Sequence, residues 1–63
     1  MFVDKKYIER FEETHVDIEY QDEKGKTLRI TGYLFDVFDN QINIDDKITI
    51  PIVKVKKIKL AEL

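Results

Sequence analysis

Nucleophilic catalysis needs a hydroxyl or thiol held beside a base, and this chain of 63 residues has no serine and no cysteine. Its aliphatic hydroxyls are Thr14, Thr27, Thr31 and Thr49, none in a recognisable catalytic setting, and His15 is its sole histidine. One imidazole does not complete a typical transition-metal site, and position 15 reads as a helix end rather than a general base. Asp36, Asp39, Asp45 and Asp46 offer carboxylates that suit calcium, but the loop pattern with a central glycine and a closing glutamate is missing. Turn chemistry accounts for Asp39, Asp45 and Asp46. Gly25 and Gly32 stand alone, so no glycine-rich loop is available to cradle phosphate. These residues predict a protein that is not an enzyme and takes neither cofactor nor metal.

Binding chemistry is better represented. Alternation along the chain turns Tyr33 and Phe38 outward, close to Arg29, and a late basic surplus lies in Lys54, Lys56, Lys57 and Lys59. Aromatic faces beside cations suit single-stranded nucleic acid, and they equally suit a protein interface or self-association. The charge balance separates these options. Residues 1–25 carry eight acids against four bases, a net of −4, and the remainder carries +2, for a total of −2. An acidic total disfavours general affinity for phosphate, and lysine alternating with apolar residues is also how an edge strand avoids aggregation. The sequence predicts a protein partner contacted through Tyr33, Phe38 and Arg29, with phosphate contact along the four lysines as the alternative. The absence of cysteine points to a reducing cytoplasm, and no run of the ~20 apolar residues that a membrane span requires occurs, so no membrane partner is expected.

The elements that hold these residues follow from periodicity. Asp4 is placed to cap a helix over about 4–13, with Tyr7, Ile8 and Phe11 on one face, extended by Phe2 and Val3. A helix this short needs packing to survive, so it is expected to cover one mouth of a barrel. Strands are expected over about 15–22, 26–38, 41–45, 47–51 and 56–60. The second carries a conflict: Leu28, Ile30 and Leu34 share one parity, whereas Phe35 and Val37 share the other. One extra residue in a bulge at Leu34-Phe35 would return the later residues to the core, with Gly32 supplying a positive φ for the bend. Pairing Tyr20 with Leu28 makes Glu23-Lys24-Gly25 a three-residue turn with Gly25 left-handed. Pairing Val37 with Ile42 and Phe35 with Ile44 leaves Asp39-Asn40 as a two-residue turn at positive φ. Pairing Ile44 with Ile48 leaves Asp45-Asp46-Lys47 as the third turn and sends Ile48 and Ile50 inward. Pro51 ends that strand, Ile52 to Val55 break the alternation as a tight turn, and Ile58 and Leu60 resume it, with Lys57 and Lys59 outward.

The expected class is mainly β: a five-stranded, strongly bent antiparallel small barrel with a short N-terminal α-helix. That order resembles the Sm-like and SH3-like barrels. Within them, Val16-Asp17-Ile18-Glu19-Tyr20, the turn ending at Gly25, Ile30-Thr31-Gly32-Tyr33-Leu34, Val37, Asp39, Ile42 to Ile44, Ile50-Pro51, Val55 and Ile58 are similar to the YolD-like proteins of Gram-positive bacteria and their phages. The resemblance implies a small cytoplasmic accessory protein that stands in for the UmuD partner of Y-family, lesion-bypass DNA polymerases. The wider Sm-like resemblance implies RNA binding through a ring. Sm proteins, however, use an Asn after the second-strand Asp and an Arg-Gly pair before the fifth strand. Asn40 or Asn43 matches the first half only, since Ile52-Val53-Lys54 stands where Arg-Gly would be needed.

Overall fold

The computed structural model describes residues 3–62. A helix α1 (Lys5–Glu9) precedes strands β1 (His15–Gln21), β2 (Thr27–Val37), β3 (Gln41–Ile44) and β4 (Ile48–Pro51), a single 3-10 turn (Ile52–Lys54), and β5 (Val55–Leu60). All five strands lie in one antiparallel sheet of order β4-β3-β2-β1-β5. Three successive hairpins lay down β1 to β4, and the 3-10 turn sends β5 back to the free side of β1. The sheet is open, with β4 and β5 as its edges.

Its buried face is almost entirely β-branched. Val16, Ile18, Leu34, Ile42, Ile44, Ile50, Ile52, Val55 and Ile58 form the core with Ile8 of the helix, and Val3, Phe11, Tyr20, Ile30 and Val37 pack against it. Branched side chains stiff at χ1 suit a pleated surface, and burial of each Ile or Leu is worth about 1.5–3 kcal/mol.

The helix is shorter than its apolar spacing suggests. Asp4 caps it as expected, its carboxylate accepting from the Tyr7 amide at 2.9 Å. After Glu9, however, the chain continues in turns, with the Phe11 amide donating to Ile8 O at 2.9 Å and the Thr14 amide to Phe11 O at 3.2 Å. The cause is the sheet: the Glu13 amide donates to Leu34 O at 2.8 Å and Thr14 O accepts from the Leu34 amide at 2.9 Å, so pairing with β2 has begun before His15. Glu13 takes φ 64° to make that entry. Ile8 is buried, Phe11 is half-buried and Tyr7 is exposed; Phe2 lies outside the described residues.

The first hairpin has the expected register, with Tyr20 opposite Leu28, the Asp22 amide donating to Lys26 O at 2.9 Å and Gly25 at φ 80°. The Asp22 carboxylate accepts from the Lys24 and Lys26 amides, each at 2.9 Å, and locks the turn. In the second hairpin Val37 opposes Ile42 as expected, but Leu34 rather than Phe35 opposes Ile44. Phe35 is the extra residue of the bulge and points to solvent, 42% exposed. Asp39 and Asn40 do form the turn, with the Phe38 amide donating to Gln41 O at 2.8 Å, yet neither has a positive φ. Asn40 O accepts from the Ile52 amide at 3.0 Å instead, which ties this turn to the one after β4.

The third hairpin pairs Ile44 with Ile48 across a turn in which Asp45 and Asp46 both take φ 56°. Ile50 is buried, whereas Ile48 is 36% exposed, because no further strand covers the β4 edge. A second bulge, between the pairs Glu19↔Lys57 and Tyr20↔Val55, makes Lys56 the extra residue of β5. It lets both Val55 and Ile58 reach the core, so β5 starts at Val55. Leu60, expected inward, is 58% exposed at the end of the sheet.

Gly32 does not supply a positive φ; among the glycines only Gly25 does. Gly32 is needed for space. A Cβ there would lie 2.6 Å from Asp45 Oδ2 and 2.7 Å from Ile44 Cγ2. The bend belongs to the bulge at Phe35, and the glycine admits the β3–β4 turn against β2.

Candidate interaction surface

That close approach organises one end of the outer sheet surface. With its left-handed backbone, Asp45 folds back over Gly32, so its Oδ1 accepts from the Tyr33 amide at 2.8 Å while its own amide donates to Tyr33 O at 2.8 Å. Aspartate tolerates this conformation better than most residues because its short polar side chain bonds locally. Tyr33 is thereby held from both of its backbone polar groups.

On this platform lies an aromatic row. His15 is the Cα partner of Tyr33, and their rings meet edge to face at 5.1 Å; Tyr33 and Phe35 do the same at 4.9 Å. Such geometry is favoured by the ring quadrupoles. His15 and Phe35 were absent from the residues chosen by sequence. His15 shares the outward parity of Asp17 and Glu19 and was detectable on that ground, whereas Phe35 turns outward only because it is the bulged residue. Tyr33 is half-buried and Phe38, also outward, is 47% exposed beyond the bulge. Glu13, Asp36, Asp45 and Asp46 are exposed around the row, and among the described residues no lysine or arginine lies within ion-pair distance of any of them.

Arg29 belongs to a different neighbourhood. Its Nε and Nη2 donate to Asp17 Oδ1 and Oδ2 at 3.2 and 3.0 Å, a bidentate pair. That hydrogen bond is the main reason the Asp17 carboxyl sits below the usual carboxylate range, against an opposing effect of burial and with help from the Arg29 and Lys59 charges and a bond from Thr31. The same bond raises the Arg29 guanidinium above its ordinary value. Lys57 Nζ lies 4.0 Å from Glu19, Lys59 is the Cα partner of Asp17, and Lys56 Nζ donates to Thr27 Oγ1 at 3.5 Å. Together they line an open groove of ≈ 780 Å³ reaching Tyr7 of the helix. Lys54 stands apart in the 3-10 turn and does not line it. Acids thus interleave with three of the four late lysines, and the fourth is elsewhere.

Thr14 Oγ1 donates to Phe11 O at 2.6 Å and serves the turn after the helix. Among the described residues no group of three or more His, Asp or Glu side chains is placed to hold a metal ion, and no helix is long and apolar enough to cross a membrane. Compared with known proteins, the chain matches no family model, no curated protein and no solved structure.

Proposed function

We propose that this chain is a non-enzymatic interaction module whose partner contact centres on the His15–Tyr33–Phe35 row, with Phe38 at its margin. The observation that carries the reading is an exposed aromatic row whose central residue is clamped by backbone bonds to Asp45. Rigid aromatics give large contact area at little entropic cost, which is why they dominate interface energetics. The strand order and the 3-10 turn before β5 support reading the sheet as a small barrel of the Sm-like or SH3-like type. On the YolD-like reading the partner is a Y-family, lesion-bypass DNA polymerase, met in the cytoplasm. Arg29 then acts from the rim, since its guanidinium is already engaged by Asp17. The alternative, single-stranded nucleic acid along the late lysines, is weakened by Asp17 and Glu19 lying among them.

Titration of a purified Y-family polymerase and of short single-stranded DNA and RNA against the chain tests this. Tyr33→Ala is expected to weaken polymerase binding roughly tenfold or more, with a smaller loss for Phe38→Ala. The opposite result is polymerase binding indifferent to both changes, together with nucleic-acid binding that collapses between low and moderate salt. Lysine-to-alanine changes that each flatten the salt slope by about one unit would then assign the lysines to phosphate.

A further inference from the structure

The carboxylates around the aromatic row are distributed in a way that specifies the partner's charge. Glu13 is tied to one side of β2 by the hydrogen bond its amide donates to Leu34 O, Asp36 follows the bulged Phe35, and Asp45 and Asp46 occupy the turn that clamps Tyr33. On the groove side and beside the helix several carboxylates have cations next to them, Glu9 and Asp39 sharing Lys5, Asp17 having Arg29 and Glu19 having Lys57, while Asp4 and Asp22 are engaged by backbone amides of their own cap and turn. Around Tyr33 and Phe35 no such pairing exists among the described residues.

We propose that this face takes a segment of a protein partner rich in arginine or lysine, an inference that rests on the aromatic row being the contact surface. Three observations favour it. Exposed ring surface beside carboxylates suits a guanidinium or ammonium, which is drawn to the ring face and to the anionic frame together. The carboxylates do not converge on a point, as a metal ion would require, so they match positive charge spread along a chain. On the neighbouring strand, Asn43 is the Cα partner of Asp36, and its Oδ1 is buried with no donor. That acceptor deficit is relieved if the carboxamide turns toward an arriving N–H group. A phosphate backbone meets like charge here. A second copy of the chain is a poorer occupant, because Arg29, Lys57 and Lys56 of its groove are already engaged with Asp17, Glu19 and Thr27.

The test is a titration of the isotope-labelled full chain with three peptides of equal length, in which leucine alternates with arginine, glutamine or glutamate, read by amide chemical shifts. The arginine peptide is expected to shift the amides of Tyr33, Phe35, Asp36 and Asp45 and to bind about tenfold or more tightly than the glutamine peptide. Asp36→Asn combined with Asp46→Asn should remove most of that difference, whereas Asp17→Asn combined with Glu19→Gln, the same change of charge in the groove, should leave it. Equal binding of the arginine and glutamine peptides at these amides overturns the cationic inference and leaves the aromatic contact surface standing. Shifts confined to the groove, or to no residue, overturn it too. Concentration-dependent shifts at both Tyr33 and Lys57 without peptide would give the face to a second copy and also overturn it. Failure of the underlying reading is seen separately, in polymerase binding that ignores Tyr33→Ala.

Discussion

Around Asp17 each outward carboxylate has a cation across the strand, and around Tyr33 four carboxylates stand without one. Both regions lie on the outer surface of β1 and β2, the pair Asp17–Thr31 standing two steps along the ladder from His15–Tyr33 and the pair Glu19–Arg29 four. In the first, charge is matched by charge within the fold, and a mixed groove results whose lysines protect the β5 edge. In the second, aromatic rings and a surplus of carboxylates are left over, with Lys47 the one cation of the β3–β4 turn. Matched surface pairs contribute little to stability and leave little net field, whereas an unmatched set beside exposed rings retains the capacity to attract a partner. The lesson is that the number of lysines or aspartates says less about binding than where their counter-charges lie.

The aromatic end rests on the β3–β4 hairpin, so the largest expected effect comes from weakening that support. Ile44→Ala removes a fully buried side chain and should cost about 2–5 kcal/mol, while Ile48→Ala, its Cα partner at the open edge, should cost well under half as much. Urea unfolding of the two variants checks this, and equal losses would mean that the β4 edge is covered.

Next in size is Gly32→Ala, expected to cost about 1–3 kcal/mol because the new Cβ meets Asp45 and Ile44. Part of the loss should return in an Asp45→Gly background, where the carboxylate contact is gone. No recovery would assign the cost to the contact with Ile44.

Asp17→Asn, on the matched side, should change the unfolding midpoint least at neutral pH. Its effect is also pH-dependent with a defined sign. The folded carboxyl titrates below its unfolded value, chiefly through the Arg29 hydrogen bond, so its contribution is present above the unfolded value and lost as pH falls through the folded one. The gap between wild type and Asp17→Asn should therefore close in acid, below the usual aspartate range. A gap that persists there would assign the effect to packing rather than charge.

Much of the chain's local order was legible without coordinates. Alternation placed Val16, Ile18, Leu34, Ile42, Ile44, Ile50 and Ile58 in the core, and the Asp4 cap, left-handed Gly25 and the place of the Asp45-Asp46 turn followed from chemistry close in sequence, although the positive φ expected at Asp39-Asn40 occurs at Asp45 and Asp46. The need for a bulge at Leu34-Phe35 was also readable, since a change of parity cannot be absorbed by a regular strand.

Alternation alone sent Phe35, Ile48 and Leu60 inward, and all three are exposed. Phe35 is outside because Leu34 takes the place opposite Ile44, a choice made by packing across β2 and β3. Ile48 and Leu60 are exposed because their strands are edges. The helix stops early because β2 competes for the amide of Glu13, and Gly32 is small because Asp45, thirteen residues later, folds onto it. Partners for Arg29 and the lysines were likewise beyond reach. Residue types and their spacing determined the strands, turns and inward rows of this protein, for these are set by interactions within a few residues. Only the tertiary structure decided the aromatic row, its unmatched carboxylates and the reason for its glycine, because each depends on which distant residue arrives opposite.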